Sequence, residues 1–180
     1  AGHPTLGSCH AWLAAGGSPR GDKIIQQCAA GLVSIRRAEG RLWFAAPPRR
    51  RSGPLDEAEV ERIAQGLGIA RTAIVAHQWC DNGPGWRGVM LASAEQVLAL
   101  QPEPLLLAGM DVGVVGPHPP GGDAQFEVRA FVPGEGVKED PVTGSLNAGL
   151  GQWLIANGHA PQKYVAAQGT ALNRAGRVFV

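Results

Sequence analysis

Two residues suited to acid–base chemistry occupy the same place in two similar segments. His3 stands in GHPTLGS and Asp140 in EDPVTGS, and each is followed directly by proline and, four positions on, by glycine and serine. An imidazole and a carboxylate that flank one carbon atom can remove a proton from it and return it elsewhere. The pattern therefore indicates proton transfer. The alternative is that Asp-Pro and His-Pro only begin a helix, since such pairs suit its first positions.

The glycine of each segment falls where a helix is expected to begin. An interior glycine costs a helix roughly 0.8–1 kcal/mol relative to alanine, so its use at both places suggests a need for bare backbone. The first turn of a helix has unpaired N–H groups and partial positive charge, which favour a carboxylate. If two such turns face each other, they can hold one small anionic ligand between His3 and Asp140.

The similarity between the two segments extends beyond the motifs. Asp140 follows His3 by 137 positions (140 minus 3), and EGRLWF near residue 41 is echoed by AGRVFV at the end of the chain. Each segment continues as a helix, a glycine stop and a β-hairpin. Internal repeats of this kind decide architecture, so we predict two similar α+β halves.

The rest of the chain predicts short strands and a few helices, in an order typical of an α+β protein. We divide it into residues 1–50, part of the first half; 51–160, the second half; and 161–180, a hairpin expected to return to the first half. Hydrophobic periodicity and end signals predict helices at 4–15, 54–69, 93–104 and 141–157, with Asp56 and Ser93 as caps. Hairpin strands are predicted around the AEG turn and in 163–180.

Composition excludes several classes of protein. Of 180 residues, 44% are hydrophobic and 17% charged, and the formal net charge is +1, which gives no bulk electrostatic reason to expect a nucleic-acid or membrane partner. Three cysteines without a CxxC motif argue against a disulfide framework, and we expect a cytoplasmic protein. The histidines outside the motif show no metal-ligand spacing, so no metal is expected.

Five segments together resemble the phenazine biosynthesis PhzF-like isomerase family: AGHPTLGSCHAWL, DNGPGWRGVMLASAEQVLAL, VGVVGPHPPGG, FEVRAFVPGEGVKEDPVTGSLNAGLGQWL and AAQGTALNRAGRVFV. They run in order over nearly the whole chain. The resemblance implies the diaminopimelate epimerase-like fold, in which two pseudo-symmetric halves each wrap a sheet around a central helix. It also implies an isomerase without a cofactor, whose best-known relative moves a proton within a dihydro-hydroxyanthranilate ring.

The same resemblance suggests roles for particular residues. His3 and Asp140 would be catalytic, in the places where cysteine-dependent epimerases carry a cysteine pair. Gly144 and Ser145 would offer backbone amides to the carboxylate of a small substrate, and Gly2, which lies beside His3, would also contact the substrate. The QGT segment at Gln168 either lies near this site or is only a structural turn, and Trp86 is expected to pack in a hairpin.

The sequence departs from the family pattern at both ends. No glutamate here can be assigned as the family's principal acid–base residue, which lies upstream of GHP, and the strands expected after GRVFV are missing. We therefore expect part of a longer protein. A small-acid binding protein without catalysis is the alternative function, and homodimerisation is a further expectation.

Overall fold

The computed structural model describes residues 2–29, 31–134 and 137–180. The chain forms two compact units, Ala1–Pro47 and Pro48–Val180. The division falls between the two prolines that begin the segment PPRRRSGP, neither of which has a backbone N–H group to donate.

The first unit consists of one helix and a three-stranded antiparallel sheet. Helix α1 (Gly2–Ala14) precedes strands β1 (Lys23–Cys28), β2 (Gly31–Ala38) and β3 (Arg41–Phe44), which lie in the order β1-β2-β3. Glu39 and Gly40 connect the last two strands with φ angles of 54° and 71°, the left-handed geometry of a two-residue hairpin turn. The hairpin predicted at AEG is therefore confirmed.

The second unit contains a mixed sheet of seven strands. Its main path runs β10-β9-β7-β6-β5-β4, and a short strand, β8, pairs with β7. Neighbours are antiparallel except for the parallel pairs β5–β6 and β7–β9. The bounds are β4 (Ala76–Trp79), β5 (Arg87–Met90), β6 (Val112–Pro117), β7 (Phe126–Phe131), β8 (Glu139–Asp140), β9 (Val165–Gln168) and β10 (Gly176–Phe179).

Two hydrophobic clusters form the core of this unit. Helices α2 (Glu57–Leu67) and α3 (Ala94–Ala99) contribute to one cluster, and helix α4 (Gly144–Ala156) contributes to the other. Alternate residues of the central strands supply both, as expected when side chains point to opposite faces of a sheet. Val114 packs in the cluster with α2 and α3, whereas its neighbour Val115 packs in the cluster with α4.

Helix α4 is buried around most of its circumference. Its buried residues include Leu146, Leu150, Trp153 and Leu154, which together cover more than the single stripe of a surface helix. Gly149 allows the helix to approach the chain closely, because a Cβ atom there would lie 2.5 Å from the carbonyl oxygen of Cys80. The sheet thus wraps around a central helix, as the resemblance implied.

Three expectations need correction. The C-terminal hairpin forms, but β9 pairs in parallel with β7 and so extends the sheet of the second unit, where strand pairing satisfies its backbone groups. Helix α4 begins at Gly144 and not at 141, because Asp140 belongs to β8. Asp56 occupies the N-cap position of α2 without a side-chain capping bond, whereas Ser93 does accept a hydrogen bond from the Gln96 amide.

None of the helices in residues 2–29, 31–134 and 137–180 is long and apolar enough to cross a membrane.

Candidate active site

The first turn of α4 has no side-chain cap. Thr143 is the N-cap residue, but its side chain makes no capping hydrogen bond. Its hydroxyl instead donates to Oδ2 of Asp140 at 2.7 Å. The first intrahelical bond runs from the Asn147 amide to the Thr143 carbonyl, so the amides of the preceding first-turn residues point out of the helix end, where an anion can accept from them.

A fully buried glutamine holds the segment between Asp140 and α4. The Gln168 side chain accepts hydrogen bonds from the Thr143 amide (3.0 Å) and from Nδ2 of Asn147 (2.8 Å). It also donates to the Asp140 carbonyl and to the Thr143 hydroxyl, both at 2.9 Å. The oxygen and the nitrogen of the side-chain amide thus both have hydrogen-bond partners. This is expected because the side chain is 0% exposed and buried polar groups need such partners. Gln168 therefore fixes the backbone from which the Asp140 carboxyl projects.

Gly169 lies against the same segment. Its φ of 88° suits glycine, and a Cβ atom there would meet the Pro141 carbonyl oxygen at 2.7 Å. The QGT segment, for which a structural turn and a place near the site were both open, is in direct contact with the Asp140 motif.

Ser145 is anchored by the loop before β5. Its hydroxyl accepts a hydrogen bond from Nε1 of Trp86 at 2.9 Å, and its carbonyl accepts from Nδ2 of Asn82 at 2.8 Å. The loop itself is folded around Asp81, whose Oδ1 accepts from the amides of Gly83 (2.7 Å) and Gly85 (2.9 Å). This short-range turn orients the two side chains that hold the second residue of α4.

Glu139, the acid of the EDP motif, forms a buried ion pair. Arg129 donates to both of its carboxylate oxygens, at 3.0 and 2.8 Å, and the two side chains are each only 7% exposed. The same guanidinium donates to the carbonyls of Val97 and Leu100 at the end of α3. This bidentate geometry is the strongest arrangement of such a pair. Glu139 therefore anchors β8 and, with it, the neighbouring Asp140.

The predicted site residues fall into both units. Asp140, Gly144 and Ser145 come together at the start of α4 in the second unit, where each is partly exposed. His3 and Gly2 lie in the first turn of α1 in the first unit, with His3 exposed and Gly2 buried. The structure thus groups three of the five predicted residues in one unit, and the roles of all five remain predictions.

The three cysteines lie in different environments. Cys9 and Cys80 are buried, and Cys28 is exposed on β1. Burial raises the pKa of Cys80 to about 12, so this thiol stays protonated near neutral pH. Within the described part of the chain, no group of three or more His, Cys, Asp or Glu residues has the arrangement of a metal site.

His77 accepts a hydrogen bond from the Leu55 amide through Nδ1 at 3.1 Å. Burial, followed by the positive charge of Arg71, lowers the pKa of this histidine. The lowered pKa and the hydrogen bond favour the neutral imidazole, as a structural residue of β4.

Sequence reasoning missed the residues that support the site. Trp86 was expected only to pack, but it also donates to Ser145, 59 positions away. Asn147 and Arg129 were not singled out at all. The spacing Asp81-x-Gly83-x-Gly85 is a signal for a side-chain-stabilised turn, but it does not indicate what that turn would hold.

The fold is that of structurally characterised PhzF proteins. The crystal structure of the Bacillus anthracis phenazine biosynthesis protein of the PhzF family superposes with a TM-score of 0.75 at 16% identity, covering 99% of this chain and 66% of that one. The structure of a predicted epimerase from Pseudomonas aeruginosa gives a TM-score of 0.75 at 20% identity, covering 100% and 66%. This protein thus has the α+β, epimerase-like fold that was expected.

The sequence belongs to the PhzC-PhzF family, described as phenazine biosynthesis-like protein, whose model matches residues 1–180. It is 31% identical over 189 residues to a Schizosaccharomyces pombe protein named antisense-enhancing sequence 1, covering 97% of this chain and 64% of that protein. It is 26% identical over 185 residues to an uncharacterized isomerase of Pasteurella multocida, covering 99% and 61%. The chain therefore spans less than two thirds of each of these relatives.

Proposed function

We propose that the protein is a cofactor-independent isomerase that transfers a proton on a small substrate bearing a carboxylate. The observation that carries this proposal is the position of Asp140, four residues before the start of α4, beside a first helical turn that has no side-chain cap. The Thr143 hydroxyl, which would otherwise cap that turn, donates to Asp140 at 2.7 Å. A titratable carboxyl and an anion-binding helix end therefore lie next to each other, within five residues of sequence.

The two parts of this arrangement would have different tasks. The amides of Gly144 and Ser145 would bind the substrate carboxylate and stabilise the negative charge that develops when a neighbouring carbon loses its proton. Asp140 would take up or return that proton, with its orientation set by Thr143. The family membership and the isomerase name of a relative support this chemistry. His3 and Gly2, in the first unit, are proposed as the second proton-transfer group and its neighbour.

Hydrogen exchange tests the proposal directly. The protein is incubated in D₂O with dihydro-hydroxyanthranilate and a panel of small unsaturated carboxylates, and deuterium incorporation is followed by proton NMR and mass spectrometry. We expect incorporation at one carbon of at least one compound, slowed about 100-fold or more by Asp140→Asn. Asp56→Asn, which changes an exposed aspartate of the same unit, serves as the matched control and should exchange at the wild-type rate.

A binding protein without catalysis is the alternative. One feature of the α4 turn favours this alternative. The anion-binding end of α4 is held by residues of the second unit alone, through hydrogen bonds from Trp86 and Asn82 to Ser145. Such a site can bind a carboxylate without any proton transfer. Saturable binding of a small carboxylate with no deuterium incorporation would support this alternative and refute the isomerase.

A further inference from the structure

A cleft of about 390 Å³ lies in the second unit, apart from the site at the start of α4. Its walls come from α3, the loop between β6 and β7, and strands β7, β9 and β10, and Asp140, Gly144 and Ser145 are not among its lining residues. A volume of this size is within the range of ligand-binding pockets. The polar side chains that line it are His118, Asp123, Glu127, Thr170 and Arg177.

Glu127 is buried with only one of its two carboxylate oxygens paired. The side chain is 1% exposed, and Oε2 lies 3.1 Å from Nε2 of His118. Oε1 is also buried, and no residue of 2–29, 31–134 or 137–180 donates a hydrogen bond to it. Because Phe126 and Val128 on either side pack in the cluster with α4, Glu127 points to the opposite face of the sheet. Burying a carboxylate in this way is costly unless a donor compensates it.

The guanidinium of Arg177 does not supply this donor. Its Nε and Nη2 atoms bond to the same oxygen of Asp123, at 3.2 and 3.1 Å, and its Nη1 donates to the carbonyl of Gly176. Asp123 is 82% exposed, so this ion pair stands at the solvent-facing side of the cleft. The positive charge of Arg177 is thereby engaged away from Oε1.

The chemistry of the cleft selects the kind of ligand that fits. Glu127 lines the cleft, and its Oε1 is an acceptor without a donor among the described residues, so a cation with N–H groups complements this carboxylate best. An ammonium group carries three such donors. A divalent metal fits less well, because the described residues contain no group of three or more potential metal ligands. The half-buried side chain of Leu98 lines the wall and provides apolar contact.

We infer that this cleft binds a small primary ammonium compound, whose nitrogen donates to Oε1 of Glu127. The inference concerns a site separate from Asp140, and it does not depend on the proposed isomerase activity.

The test uses n-butylammonium as the probe and the ring signals of His118 as the readout. We expect n-butylammonium chloride to shift these NMR signals saturably, with a Kd on the order of 1 mM, as suits a ligand of a few heavy atoms. Tetramethylammonium chloride carries the same charge without an N–H donor, and sodium butyrate carries the opposite charge. Both should leave the signals unchanged at the same ionic strength.

Two variants link binding to the cleft. Glu127→Gln keeps the size of the side chain but removes its charge, and should weaken n-butylammonium binding about tenfold or more. Leu98→Lys alters a half-buried wall residue and places a competing ammonium in the cleft, so it should abolish binding even if Glu127→Gln does not fold. Absence of a saturable shift would overturn the proposal and leave water as the partner of Oε1. Equal response to tetramethylammonium, or unchanged binding in the folded variants, would also overturn it.

Discussion

Replacing Gln168 with leucine should destabilise the second unit strongly. The amide makes four hydrogen bonds, all to the segment before α4 or to α4 itself. Leucine leaves the buried Thr143 amide without its acceptor, which costs about 1–3 kcal/mol, and removes three further bonds worth about 0.5–1.5 kcal/mol each. The apolar surface gained by leucine offsets about 1–2 kcal/mol of this loss. We therefore expect the free energy of unfolding to fall by about 3 kcal/mol.

Urea unfolding followed by tryptophan fluorescence measures this change, because Trp86 and Trp153 are buried in the second unit. With a slope of roughly 2 kcal/mol per molar urea, the midpoint should fall by roughly 1.5 M. Gln101→Leu makes the same chemical change at an exposed position, and should stay within about 0.5 kcal/mol of the wild type. If Gln168→Leu loses less than about 1 kcal/mol, the network does not hold the Asp140 segment and our reasoning is wrong.

Three further predictions concern packing, pH and charge, and for each the free energy of unfolding is measured by urea denaturation. Gly149→Ala should lower the free energy of unfolding by about 1–3 kcal/mol, because the new Cβ atom would lie 2.5 Å from the carbonyl oxygen of Cys80. Gly7→Ala is the matched control in α1: no atom of the described residues lies within 4 Å of its new Cβ, so it should stabilise the helix by up to about 1 kcal/mol. Burial lowers the pKa of His77, so its contribution to stability is present above pH 6.5 and declines as pH falls below that value; His77→Gln should flatten this decline. Arg129→Met leaves Glu139 buried and unpaired and should cost about 3–5 kcal/mol, and adding Glu139→Leu should restore part of the loss.

Each of these has an outcome that would contradict it. Equal stability of the two glycine variants would mean that α4 can shift away from the carbonyl. If stability depends on pH in the same way in His77→Gln as in the wild type, His77 is not the group whose titration causes the decline. A double variant no more stable than Arg129→Met would show that the damage comes from lost contacts with α3 and not from the unpaired carboxylate.

Local signals in the sequence predicted the local structure well. The AEG turn formed as expected because the geometry of a two-residue hairpin depends only on the residues within it. The fold class followed from the order of short strands and helices together with the family resemblance. The start of α4 was misplaced because Pro141 suits a first helical position, while pairing of β8 with β7 keeps Asp140 in extended geometry.

The support of the site could not be predicted, since it depends on contacts between distant segments. Trp86 and Ser145 are 59 positions apart, and Gln168 and Thr143 are 25 apart. A tryptophan or glutamine carries no sequence signal that names its partner. The C-terminal hairpin was assigned to the wrong half for the same reason, because pairing between strands is decided by which edge remains open in the folded sheet.

The pairing of β9 with β7 has a consequence for the order in which the chain folds. Gln168, at the end of β9, bonds to the carbonyl of Asp140, which precedes it by 28 residues. When the ribosome has produced α4 but not yet β9, the EDPVTGS segment lacks the side chain that fixes its backbone. The geometry proposed for Asp140 therefore cannot form during synthesis until the hairpin of β9 and β10 has been made and has paired with β7.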